Sequence, residues 1–270
     1  MRWTAKFNPP CEIHLSKPAK RRSRPSHPDR VGHTGVRVIE RAIDILQCFD
    51  ETNAKLTLHE IAERTGIHKA TAFRIMSTLV DERILDQPAS GGSYELGFFA
   101  LECADALLGA SALRHKAVPI MVQLRDELNE TVVLAQRRGN HILNLDKVVC
   151  RQGIIEAPII GVWTLLHESP AGLAVLSTFG EQELESYLTD VGARHGLPPA
   201  LRNQIGNAKA AIVDPARTAA QSAVAAAPIT DRTGEAIAAL SIAIPSGRIE
   251  RGLAERCQRK LIWASQQLRA

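Results

Sequence analysis

The stretch from Thr57 to Val80 constrains the chain more than any other. Thr57 precedes an apolar-periodic run and Glu60 stands three residues later, the capping-box spacing that opens a helix. That helix turns Leu58, Ile61 and Ala62 inward and stops at Thr65-Gly66, where glycine takes the positive φ of a sharp turn at no steric cost. A further helix begins near His68, with Ala72, Ile75, Met76 and Leu79 on its buried side. Upstream, Ile39, Ile43, Leu46 and Phe49 recur at helical spacing and predict a first helix. Downstream, Ile84-Leu85, the turn residues Ala89-Ser90-Gly91-Gly92 and the return Tyr94-Glu95-Leu96 predict a two-stranded wing. Residues 36–96 therefore read as a winged helix-turn-helix.

The solvent side of the third helix says what such a domain is for. It presents His68, Lys69, Thr71, Arg74 and Ser77, and no acid occurs from Ile67 to Val80. Yet residues 36–96 as a whole hold 7 lysines and arginines against 10 acids. A net-negative domain with one acid-free helical face suits a groove reader, because phosphates repel the other faces. Lys69 and Arg74 are able to bond guanine edges or phosphates, and Thr71 to touch a thymine methyl. These five residues are the predicted contacts to a double-stranded DNA operator. One such motif reads too few base pairs to select a genomic site, so a pseudo-palindrome read by a symmetric oligomer is expected.

The positive charge sits elsewhere. Residues 1–35 hold 8 lysines and arginines against 2 acids, and Pro9, Pro10, Pro18, Pro25 and Pro28 interrupt any helix. This segment is expected to be a disordered basic arm, either a solvated tail or a strand of cations that touches phosphates. Its first residues carry charges and prolines where a signal peptide needs an apolar run. Elsewhere, uncharged runs such as Thr218 to Thr230 are too short to span a bilayer, so a cytoplasmic chain with no membrane partner is expected. The five cysteines (Cys11, Cys48, Cys103, Cys150 and Cys257) form no CxxC pair. Cys11 and His14 have a ligand spacing but lack the second pair a zinc site needs, so free thiols and no metal are expected.

Beyond residue 96 the pattern changes. Residues 97–114, with Phe98, Leu101, Leu108 and Ala112 broadly on one side, predict a helix. From His115, Ala117, Met121, Leu124 and Leu128 define another amphipathic helix. Thr131 to Arg137 and His141 to Val149 are β-rich runs around Gly139-Asn140. Val224 to Ile229 and Ala236 to Ile244 flank a second hairpin turn. Ile249, Leu253, Cys257, Leu261 and Leu268 predict a closing helix. Hairpins with flanking helices imply an antiparallel sheet and an α+β domain over residues 115–270.

Several stretches together resemble the IclR family of bacterial transcriptional regulators. They are Val38 to Leu46, Leu58 to Ile67, Lys69 to Arg74, Tyr94-Glu95-Leu96-Gly97, Leu145-Asp146-Lys147-Val148, His167 to Gly172 and Ala226-Ala227-Pro228-Ile229. The resemblance covers about residues 36–268. It implies a linker helix over 97–114 and a GAF-like effector domain over 115–270. It also implies pairing through the DNA-binding and linker region, as a homodimer or a homotetramer. By the same resemblance a small-molecule effector binds between the sheet and the loop entering the helix at Ala171-Gly172. Ser169, Pro170, Ala171, Asp214, Val224, Ser241 and Ala243 are the residues it assigns there. Some positions depart from the family pattern: Leu173 stands where a lysine is usual, and Val224 and Ala243 are apolar where Cys or Ser is common. These make the site less polar and suggest an effector with more apolar bulk, or a weakened pocket; the free N–H groups of a helix start, beside those apolar walls, suit a carboxylated aromatic or aliphatic metabolite.

No catalytic constellation accompanies this. His167, Glu168 and Ser169 are sequence neighbours, which seldom face one another as base and nucleophile must. No nucleophile elbow, Walker loop, dinucleotide fingerprint or HExxH motif occurs, so neither an enzyme nor a cofactor is expected. Two rival readings stay open at this point: an enzyme with a helical docking domain, and a constitutive DNA-binding protein whose second domain only oligomerises.

Overall fold

The computed structural model describes residues 36–50, 52–89, 91–151, 159–207, 222–245 and 251–269. Contacts divide the chain between Ser111 and Ala112 into two units.

The first unit holds α1 (Arg37–Leu46), β1 (Leu56–Thr57), α2 (Leu58–Thr65), α3 (Lys69–Asp81), β2 (Leu85–Asp86), β3 (Ser93–Leu96) and α4 (Phe99–Gly109). Its helix-turn-helix forms as the sequence predicts. The Thr57 hydroxyl accepts the Glu60 N–H at 3.3 Å, and Glu60 Oε2 accepts the Thr57 N–H at 2.7 Å, so the box closes both ways. Gly66 then takes φ 70°, and α3 starts three residues further on, at Lys69. Ala72, Ile75, Met76 and Leu79 are buried in one cluster with Ile45, Phe49, Leu56, Ile61, Leu85 and Tyr94. The wing has three strands instead of two, because β3 pairs with β1 as well as β2. The two residues of β1 are too few for alternation to announce a strand.

Two expectations need correcting. α1 forms, but Ile39 (57% exposed) and Ile43 stay open to solvent, while Ile45, Cys48 and Phe49 carry the burial. The first half of α1 borders an open groove against α3, where Val38, Ile39 and Ala42 face Ile75 and Leu79. The helix expected over 97–114 ends at Gly109, and α5 (Ala112–Leu128) begins ahead of His115. None of the residues of α4 is buried, although Phe98 beside it, Leu101 and Leu107 are apolar.

The second unit continues with β4 (Thr131–Arg138), β5 (His141–Val148), β6 (Trp163–Leu165), a 3₁₀ turn (Leu166–Glu168), α6 (Pro170–Leu176), α7 (Glu181–His195), α8 (Leu201–Asn207), β7 (Ser222–Thr230), β8 (Ala236–Pro245) and α9 (Arg251–Gln267). Its antiparallel sheet has the order β6-β5-β4-β8-β7. Helices α5 and α9 pack on one face. Helix α6 packs on the other, its apolar side chains clustering with Ala135, Ile142, Ala239 and the α7 residues Tyr187 and Val191. β6, α7 and α8 were not read from the sequence. α7 buries only Tyr187 and Val191, too sparse a stripe to stand out. Ile249 of the expected closing helix lies outside the described residues.

The cap makes a measurable prediction. The Thr57 N–H, then the Thr57 hydroxyl, hold the Glu60 carboxyl below the ordinary glutamate value of 4.5. A carboxyl lowered in the folded state adds stability that is complete above pH 4.5 and is lost as pH falls below it. Thr57→Ala is expected to cost about 1 kcal/mol in the urea transition of the first unit. Glu60→Gln should lie below wild type at pH 7 and converge with it on acidification; an unchanged gap in acid would refute the assignment.

Candidate DNA-reading face and ligand site

Arg74, exposed, and Ser77, half-buried, stand on the side of α3 turned away from its buried row, while Lys69, exposed in the first turn, flanks that row three residues before Ala72. His68 is the N-cap, and its Nδ1 accepts the Ala70 N–H at 3.4 Å. The ring is thus turned toward the helix end. Thr71 is half-buried and leans toward α1: it lines one cleft with Arg37, Arg41, Gly66 and His68, and the neighbouring groove with Val38 and Arg74. Two exposed residues on the same arc, Ala70 and Phe73, were not singled out from the sequence. Both were legible there, since on the acid-free stretch Ala70 falls four positions before Arg74, and Phe73 four after Lys69 and four before Ser77.

The second site is built on the sheet face beneath α6. Ala135 and Ala239 pair with each other and belong to the α6 cluster, so the residues two positions along share that face. Cross-strand pairing then sets out two rows. Lys147, Val133, Ser241 and Ala226 run across β5, β4, β8 and β7; Thr131, Ala243 and Val224 run beside them. The predicted trio Val224, Ser241 and Ala243 thus stands on the α6 face, Ser241 buried and the other two half-buried. Asp214 lies outside the described residues.

Lys147 reaches this face through a bulge. The register skips Leu145 between the pairs Leu134–Asp146 and Ala135–Asn144. Strict alternation from Ile142 would have put Asp146 on the α6 face and Lys147 behind it. Instead Asp146 turns to α5, where Arg114 Nε donates to it at 2.7 Å, and Lys147 faces α6. Sequence reading missed Lys147 for that reason.

The loop into α6 is rigidly held. The Tyr187 hydroxyl accepts the His167 N–H at 3.1 Å and lies 2.8 Å from His167 Nδ1, and burial raises its phenol above the ordinary range. Ser169 caps α6, its hydroxyl accepting the Gly172 N–H at 3.1 Å. A side chain on Gly172 would put a carbon 2.1 Å from the Leu166 carbonyl oxygen. Few donors remain at this helix end. Pro170 has no N–H, Gly172 gives its own to Ser169, and Leu173 donates to the Ser169 carbonyl at 2.9 Å. Among the described residues the Ala171 N–H is left for a ligand.

Cys48, Cys150 and Cys257 are buried, and burial pushes the Cys257 thiol up to about 11. Cys11 and His14 lie outside the described residues, within which no group of three or more His, Cys, Asp or Glu side chains is placed to hold a metal. No helix among the described residues is long and apolar enough to cross a membrane.

The family model of the IclR helix-turn-helix domain matches residues 38–89, and that of the IclR C-terminal domain of bacterial transcriptional regulators matches residues 106–270. The chain belongs to the IclR family. As an IclR-family transcriptional regulator it joins a helix-turn-helix DNA-binding domain to the family's C-terminal domain. The HTH-type transcriptional repressor AllR of Escherichia coli is 26% identical over 238 residues, covering 85% of this chain and 88% of the repressor. The Thermotoga maritima IclR structure superposes with a TM-score of 0.70 at 21% identity, over 87% of this chain and 98% of its own. An IclR homologue from Microbacterium hydrocarbonoxydans, complexed with 4-hydroxybenzoate, gives a TM-score of 0.69 at 25% identity, over 86% and 98%. The named relatives are transcriptional regulators, and both halves of the chain match them.

Proposed function

We propose that this IclR-family regulator reads a pseudo-palindromic operator as a homodimer in the cytoplasm, through α3, and is tuned by a carboxylated aromatic or aliphatic metabolite bound beneath α6. The acid-free exposed arc of α3 is the observation that carries the reading. Lys69 and Arg74 supply base-edge or phosphate bonds, Ser77 a hydroxyl; His68 and Thr71 flank them. Single-residue replacement tests this. Arg74→Ala and Lys69→Ala are each expected to weaken binding to a footprinted operator by about 1–3 kcal/mol. Wild-type affinity in both variants would remove α3 from the interface.

The dimer is supported by apolar surface left open within the first unit. Phe98 is 77% exposed, and Leu101 and Leu107 on α4 and Val38 and Ile39 on α1 are also uncovered. Covering one such side chain is worth about 1.5–3 kcal/mol. A second copy places a second α3 one helical turn along the DNA, which a two-fold operator requires. Leu101→Asp with Leu107→Asp is expected to shift light scattering from dimer toward monomer and to cut operator affinity. An unchanged mass would place the interface elsewhere.

For the effector, the charge partner we favour is Lys147. The end of α6 offers little beyond the Ala171 N–H, whereas Lys147 stands in the same row as Ser241. A carboxylate held by Lys147 and Ser241, with its apolar body against Val224, Ala243 and Ala171, fits that face. The 4-hydroxybenzoate complex of the Microbacterium homologue supports the chemical class. Lys147→Met is expected to weaken 4-hydroxybenzoate binding at least tenfold by calorimetry while leaving ligand-free operator affinity unchanged. Equal binding by wild type and variant would sink the assignment. A ligand that weakens DNA binding by some factor must itself be weakened by operator by that same factor.

A further inference from the structure

Phe73 is the one large apolar side chain on the exposed arc of α3. It is 51% exposed in the middle of that helix, one turn from Lys69 and Ala70 on one side and from Ser77 on the other, with Arg74 beside it. The core beneath α3 is already filled by Ala72, Ile75, Met76 and Leu79. Phe73 is not part of that cluster and leaves about half of its surface open to whatever α3 meets. The charge around it selects the partner. With two cations on the arc and no acid from Ile67 to Val80, the surface suits a polyanion. In the major groove of such a partner the apolar feature at a base edge is the thymine 5-methyl group.

We propose that Phe73 is a specificity-determining residue that packs against a thymine methyl in each operator half-site. This deepens the assignment of α3 as the reading helix and rests on it. Lys69 and Arg74 then supply polar and phosphate bonds, and Phe73 favours thymine over cytosine at one position by contact alone.

The test is a uracil scan. Each thymine of a footprinted operator half-site is replaced by deoxyuridine, which keeps the pairing edge and removes only the methyl. Wild type should lose roughly fourfold in affinity at one position, the factor carried by about one buried methyl. Phe73→Ala should bind the thymine operator more weakly and show no loss at that position, and Phe73→Leu should keep part of the discrimination. Arg74→Ala should bind weakly overall yet retain the uracil penalty. The proposal is overturned if wild type is indifferent to uracil everywhere, or if Phe73→Ala keeps the penalty. If Arg74→Ala and Phe73→Ala both bind as wild type does, the reading helix itself is misassigned, a result distinguishable from failure at Phe73 alone. The wild-type scan needs no variant to fold.

Discussion

The amphipathic character of α3 is the constraint on which the first unit depends. One row, Ala72, Ile75, Met76 and Leu79, closes the core against α1, α2 and the wing. The opposite arc is then committed to solvent, and the absence of acids makes it compatible with phosphates. What places the helix is local: a reciprocal cap at Thr57 and Glu60 starts α2, and a left-handed Gly66 ends it. Any side chain at Gly66 would strain that turn and change the angle at which α3 leaves it.

The second unit meets a different demand, which is to cover both faces of its sheet, α5 and α9 on one and α6 on the other. Aromatic residues are 4% of the chain, and β7 and β8 are rich in alanine. Gly172 lies against the Leu166 carbonyl of the 3₁₀ turn that leads into α6. The turn ahead of α6 is pinned from α7 by Tyr187, a buried phenol kept protonated by its surroundings. The sheet face on which Ser241, Val224 and Ala243 stand lies beneath the helix that this turn leads into. Val224 and Ala243, apolar where the family commonly has Cys or Ser, make that face less polar.

Exposed apolar surface in the first unit belongs to the same logic. A helix such as α4, apolar yet without a buried residue, is stable in water only with a partner surface or at a cost. The open half of α1 adds to it. Periodicity announced both helices but not which stripe would find a cover inside its own unit. Ile39 and Ile43 repeat at the right spacing, yet the core is reached from α1 by Ile45, Cys48 and Phe49.

What the sequence determined by itself was everything set by neighbours a few residues apart. The box at Thr57, the turn at Gly66, the buried and open arcs of α3, and the hairpins at Gly139 and Asp231 all arise from local hydrogen bonds, φ preferences and spacing. Family resemblance added Val224, Ser241 and Ala243, which do share one face. Only the tertiary structure decided which residues join them. A single extra residue at Leu145 exchanges the faces of Asp146 and Lys147. That exchange follows from pairing between strands, which no period along one strand encodes, because side-chain direction in a sheet is defined by register and a slip of one residue reverses it.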